Sequence, residues 1–464
     1  MATRTETDTM GAVEVPEDAY WGAQTQRSLA HFAIGSERLP PLFHRAYGLL
    51  KQAAAEANAA LGELDAERAA WIARAAGEVA DGAFDAAFPL TIWHSGSGTQ
   101  TNMNLNEVIA NRANELAGAA RGAKAPVHPN DHVNRGQSTN DGFPTAMHVA
   151  VALALRDRLD PALDALLATL DRQAAAHRDL VKMGRTHLQD ATPLTLGQEI
   201  GGWAAGLRLA RASLVAGAER RQQLAVGGTA VGTGLNAHPG FADEVVRRLA
   251  ARTGIPFTAA PDKFAALAGH EAIVELSGAL ANLAASLLKL ANDVRWMASG
   301  PRGGLAELRL PANEPGSSIM PGKVNPSQAE ALAMVCLQVQ GHHATILAAA
   351  GQGSFELNVC KPLVAWSALN AIALLADAVV SFERHCLAGI EPDEAVLAEG
   401  VRRSLMLVTA LTPHIGYDEA ARIAKKAHAE GTTLREAALA LGSVRAEDFD
   451  AWMRVEDMLG PRRG

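Results

Sequence analysis

The chain has 464 residues, 48% of them hydrophobic and 20% charged, the balance of a soluble globular protein too long for one simple core. Against 50 acidic residues it sets 42 basic ones, and a net charge of -8 without an evident basic face argues against nucleic acid as the main partner. No uninterrupted apolar run reaches membrane-spanning length, so no membrane association is expected.

Met1 to Gly11 alternates threonine with acidic residues and has no apolar core, so it does not read as a secretory signal. Cys336, Cys360 and Cys386 lack CxxC pairing or metal-ligand spacing. An intracellular, reducing compartment, the cytoplasm, fits best, with the thiols as small core residues.

Residues 1–136 read as an N-terminal domain of short helices and glycine- or proline-punctuated loops. Trp71, Ile72, Ala75, Val79 and Ala83 sketch one helix face. After Pro89, Gly96 and Gly98 free the backbone for close approach to a ligand, while Ser97 and Thr99 supply hydroxyls there. A cap for the next helix is the plainer reading of the same loop. At His128, Pro129, Asn130, Asp131 and His132, two histidines flank an aspartate. Pro129 breaks helical i,i+4 spacing and no third ligand is evident, so no metal site is read there.

Residues 137–392 read as a central domain of long helices. Gln137-Ser138-Thr139-Asn140-Asp141 precedes a helix expected to begin near Pro144, and carries more hydrogen-bonding groups than a cap uses. Ile273, Leu276, Leu280, Leu283, Leu287, Leu290, Val294 and Met297 step 3,4,3,4,3,4,3, a seven-residue repeat. Leu196, Ile200, Trp203, Leu207, Ala210 and Leu214 repeat the pattern. Such stripes bury little alone, so several helices must pack together, within the chain and between chains.

Thr186 and His187 stand at a break between two long helices. The stretch 227–236 is glycine-dense but too apolar for a phosphate cradle, and reads as a close-approach loop. Gly316 to Pro326 presents Ser317, Ser318, Lys323 and Asn325 from a backbone that two glycines and two prolines keep irregular. Residues 393–464 read as a small helical domain, with Thr433 and Glu436 at capping-box spacing.

Taken together, these loops carry a resemblance. Gly316–Pro326 resembles the signature of the fumarase/aspartase superfamily, and the chain is most similar to class II, metal-independent fumarases from Arg4 to its C-terminal region. Val13–Pro16, Tyr20–Ser28, Gly184–Asp190 and Leu407–His414 are similar to that family too. His187 and Gly322 side with fumarases, where aspartases typically have Gln and Ala. Thr139, where fumarases usually have Ser, is an aspartase-like feature that keeps the hydroxyl.

The resemblance implies a mainly α fold with a central five-helix bundle, built into a twenty-helix core in a homotetramer whose sites are shared between subunits. It implies reversible hydration of fumarate to (S)-malate in the tricarboxylic acid cycle, without metal or organic cofactor. Ser317 is then the base, His187 the second proton carrier with Glu330 as its partner, and Lys323 a carbanion stabiliser. Ser97, Gly98, Thr99, Ser138, Thr139, Asn140, Thr186, Ser318, Lys323, Val324 and Asn325 are similar to the family's dicarboxylate ligands. His128, Pro129, Asn130 and Asp131 match a second, non-catalytic anion site, in which Ala125 replaces an arginine found in some relatives. The rival readings are ammonia release from aspartate within the superfamily, and a non-catalytic scaffold descended from a lyase.

Overall fold

The computed structural model describes residues 2–461. Most of the chain is helical, and among the described residues the strands pair only as two-stranded ribbons. Long helices span Pro41–Ala60, Thr99–Leu116, Thr139–Ala154, Asp160–Ala176, Leu196–Ala216, Glu271–Met297, Ser327–Ala350 and Lys361–His385. Every residue of the 273–297 heptad series is buried, as is the whole series from Leu196 to Leu214. The apolar period therefore reports a buried stripe, as expected.

By compactness the chain divides into two units. One comprises Met1–Ala162, Ala210–Ala285 and Val335–Asp377; the other comprises Leu163–Leu209, Ser286–Met334 and Ala378–Gly464. In the first, the rings of Phe43, Tyr47 and Phe143 form an aromatic cluster, with Phe43 and Phe143 centroids 4.8 Å apart. Glu107, from Thr99–Leu116, accepts the backbone N–H groups of Gly22, Gln24 and Thr25 and the Thr25 hydroxyl. One carboxylate thus satisfies the otherwise orphaned donors that begin the helix Ala23–His31.

In the second unit, Leu407, Leu411, Ile423, Leu434 and Phe449 belong to a hydrophobic cluster of the C-terminal helices. The capping box of Thr433 and Glu436 forms there.

Two ribbons depart from the helix-and-loop expectation. Thr3–Asp8 pairs antiparallel with Gly11–Pro16, so the threonine-acid alternation is a strand period without apolar residues. Val181–Thr186 pairs with Gln189–Thr195 where only a helix break was read. The helix expected near Pro144 starts at Thr139, because Ser138 and Asp141 close a capping box upstream of the proline.

By length and composition, Glu271–Met297 and Lys361–Gly389 are apolar enough to cross a membrane, although polar and charged residues interrupt both. About half of each apolar window, 50% and 56%, is buried within the chain itself. Cys336 and Cys386 are buried, and desolvation raises both thiols to about 12.

His44, stacked on Phe88, is held down to about 4 by desolvation, with Asp85 opposing. An unfolded imidazole protonates near 6.5, so between about pH 6.5 and 4 the unfolded chain binds the proton that the folded chain refuses. Stability should fall as pH drops through that window, by at most roughly 3 kcal/mol from this group. Thermal denaturation of wild type and His44→Leu should show wild type losing more on acidification from pH 7 to 4.5. Parallel curves would contradict the assignment.

Candidate active site

The first unit builds a cavity of about 490 Å³ from loops that begin or join its helices. Thr99, Ser138, Thr139 and Asn140 line it together, and Asn130 of the predicted second anion site shares the same wall. The loop carrying Ser97 and Thr99 cannot take an ordinary residue at two points. Gly98 sits at φ +86° with Phe143 filling the space of a side chain, and Gly96 lies against the Val359 carbonyl. The three hydroxyls of Ser95, Ser97 and Thr99 are chained at 3.1 and 2.8 Å. No side chain caps the following helix, so these hydroxyls are not spent on its N-terminus.

Ser138 does serve as a cap, its Oγ accepting from the Asn140 N–H at 3.2 Å. Asp141 is fully buried and accepts from the N–H groups of Ser138, Gly227 and Thr229 at 2.9–3.0 Å. Desolvation raises its carboxyl, against these hydrogen bonds and Lys51. Asn140 Nδ2 donates to the Ala230 carbonyl at 2.7 Å. The glycine-dense 227–236 stretch is therefore a close-approach loop, as its composition suggested, and it approaches the 138–141 loop.

His128 Nδ1 accepts the N–H groups of Asn130 and Asp131, opening the short π-helical turn Pro129–Val133. Gln24, Asn102, Asn134, Leu235 and Asn236 also line the cavity and were not singled out as site residues. Asn102 and Asn134 lie on or beside recognised polar stretches; Gln24 belongs to a quoted family match but carried no local chemical signal.

Two segments of the second unit carry the other group. Thr186 and His187 lie at the tip of the 181–195 hairpin, where consecutive φ values of +58° at His187 and +59° at Leu188 make a tight turn. Two bulky left-handed residues in succession are costly, and the imidazole is held out at an exposed tip. The hairpin's other end is anchored by charge. Buried Lys182 pairs with Glu199 at 2.6 Å and Glu307 at 3.0 Å, while Arg185 reaches Glu307 at 2.7 Å.

The loop 316–326 is closed by Gly316 N–H donating to the Lys323 carbonyl at 2.8 Å. Asn325 Nδ2 donates to the Gly316 carbonyl at 2.6 Å, so part of that amide buttresses the loop. Ser317 Oγ accepts from the backbone N–H of Ile319 at 3.2 Å and of Met320 at 2.9 Å. Ser317 is half-buried, Ser318, Lys323 and Val324 are exposed, and Glu330 is exposed in the first turn of Ser327–Ala350. Among the described residues, no hydrogen bond or ion pair joins Glu330 to His187 within one chain.

A model of the lyase family matches residues 11–341, and a model described as the fumarase C C-terminus matches 407–460. The class II fumarate hydratase of Thermosynechococcus vestitus is 61% identical, covering 99% of this chain and 98% of its own. That of Myxococcus xanthus is 57% identical over 98% of each. A crystal structure of class II fumarase from Schistosoma mansoni superposes with a TM-score of 0.97 at 43% identity, covering all of both chains.

At Gly96 an added Cβ would fall 1.4 Å from the Val359 carbonyl oxygen, so Gly96→Ala must displace one strand of backbone. The substitution should cost about 1–3 kcal/mol in denaturant unfolding, the usual range for overpacking. Because Ser97 and Thr99 ride on that loop, KM should rise with it. Unchanged stability would show that the loop is not clamped.

Proposed function

We infer the reaction from a family membership: the chain belongs to the class II fumarate hydratases, and it catalyses the reversible hydration of fumarate to (S)-malate. It is a hydro-lyase. The reading that follows assigns its residues to steps.

Dehydration of malate removes a proton from C3 and expels hydroxide from C2. The obstacle is the carbanion, whose charge spreads onto a carboxylate that is already negative. Ser317 takes the C3 proton. A serine hydroxyl is too weak a base by itself, and the observation that carries the role is the pair of N–H donors from Ile319 and Met320 on its Oγ. Such donors stabilise the alkoxide more than the neutral hydroxyl, which lowers the pKa of the base. The ammonium of Lys323, six residues on in the same closed loop, stabilises the dianionic aci-carboxylate.

His187 gives a proton to the departing hydroxide, which leaves as water, and takes it back in hydration. An imidazole suits reversible transfer near neutrality. Glu330 orients it. Thr99, Ser138, Thr139 and Asn140, with Ser97, Thr186, Ser318 and Asn325, hold the two carboxylates. His128, Asn130 and Asp131 form a second anion site beside the first, a reading supported by Asn130 lining the same cavity as Thr99.

The site is completed between copies of the chain, in a homotetramer. Exposure of Thr186, His187, Lys323 and Glu330 in the single chain supports this. So do the exposed apolar residues Met334, Leu337 and Leu347 on one long helix and Leu209 and Val215 on another, which one chain leaves uncovered. The cytoplasm is the expected compartment, and the tricarboxylic acid cycle the expected setting.

Following the ultraviolet absorbance of fumarate with malate and then aspartate as substrate should show turnover of malate alone. Ser317→Ala should keep the assembly and lower turnover by roughly a hundredfold or more. Near-normal turnover would remove Ser317 from the role. Glu330→Gln should shift the pH–rate profile, and an unmoved profile would dissolve its pairing with His187.

A further inference from the structure

The wall of the 490 Å³ cavity holds hydroxyls, amides and backbone but no charged side chain. A dicarboxylate taken from water into such a place needs compensating charge. That charge lies one layer behind the wall. Lys51 is 1% exposed, and its Nζ donates to Asn134 Oδ1 and Gln137 Oε1, both at 3.0 Å. Lys361 is wholly buried, and its Nζ donates to the Asn140 carbonyl at 3.2 Å. All three acceptors belong to residues that line the cavity.

Neither ammonium is neutralised by a direct partner. Asp141 is the carboxylate that acts on both, yet it accepts hydrogen bonds from the backbone N–H groups of Ser138, Gly227 and Thr229. Among the described residues neither lysine forms an ion pair. Two buried lysines thus share one buried carboxylate, and when both are protonated the surplus is positive. Fixed charge in an interior that water does not screen acts on the cavity more strongly than the same charge at the surface.

We propose that Lys51 and Lys361 are positioning residues for the dicarboxylate. They supply the positive field of the uncharged pocket and lock the Asn134, Gln137 and Asn140 groups that face it. The inference rests on the reading of this cavity as a dicarboxylate site. Asn134 shows the locking directly, since its Oδ1 also accepts from Asn102 and Asn106 while its Nδ2 donates to the Gln137 carbonyl.

Desolvation brings both lysines down to about 7, with Asp141 opposing. The groups that face them are few. Lys51 lies 5.3 Å from the centre of the Tyr47 ring. Lys361 acts on His270, whose imidazole burial holds down to about 3, so it stays neutral at working pH. Lys263, hydrogen-bonded to the Leu224 carbonyl, is the third cation under the influence of Asp141. An arriving dianion favours the charged lysines, so binding above pH 7 takes up protons.

The test is calorimetric titration of the intact wild-type assembly with succinate, an unreactive dicarboxylate, in two buffers of different ionisation enthalpy. Net proton uptake is expected at pH 8, with affinity about tenfold or more tighter at pH 6.5 than at 8.5. Lys51→Met and Lys361→Met should each weaken binding at pH 6.5 about tenfold and raise KM more than they lower kcat. Lys361→Arg, which keeps the charge, should restore affinity while flattening its pH dependence. Circular dichroism and assembly size report whether the variants fold. Should the methionine variants unfold, the wild-type titration still decides: binding at pH 8 without proton uptake overturns the proposal. Folded variants with wild-type KM and proton uptake overturn it while leaving the fumarase reading intact. A wild-type enzyme that neither hydrates fumarate nor binds succinate overturns both.

Discussion

The buried carboxylate of Asp141 is the interaction on which the architecture of the first unit's cavity depends. It closes the capping box that starts one long helix, and it accepts N–H groups from a loop nearly ninety positions further along the chain. That loop is rich in glycine, and its Gly227 and Thr229 N–H groups find their acceptor in this carboxylate. Moving that carboxylate would release two loops of the cavity wall together. Its burial is costly, and the cost is offset by three backbone donors and by the two lysines nearby.

The second unit uses a different device for the same end. The hairpin that presents His187 and the loop that presents Ser317 carry their chemistry on exposed, irregular backbone. Rigidity comes from the ends: a buried lysine between two glutamates for the hairpin, a glycine-to-lysine backbone bond for the loop. Chemical groups left exposed by such rigid supports suit a site that another copy of the chain completes. Positive φ at both His187 and Leu188 is strain retained at a tip rather than in a core.

Much of this was legible before any coordinates. The seven-residue stripes, the threonine-glutamate capping box, the glycine loops and the Ser317 segment all follow from residue type and spacing, which depend on local geometry. The two ribbons were not legible for a related reason. Strand period two needs a contrast between faces: in Thr3–Asp8 threonine alternating with acid or arginine has little of it, and in Val181–Thr186 the alternation of Val181, Lys182 and Met183 is too short to signal a strand. The start of the Ser138 helix was misread because Pro144 is a strong local signal, whereas the capping box upstream is a mutual contact.

The sequence by itself determined that this is a long-helix protein with its chemistry in a handful of loops, and which family's motifs those loops carry. Periodicity and motif are properties of neighbours along the chain, so they survive without a fold. Only the tertiary structure decided that Thr99, Ser138, Asn140 and Asn130 share one wall, and that Gln24 and Asn236 belong to it. It alone gave Ser317 its two N–H donors and put Lys51 and Lys361 behind an uncharged pocket. These are relations between distant residues in a medium of low dielectric, and packing decides both who meets and how strongly charge is felt.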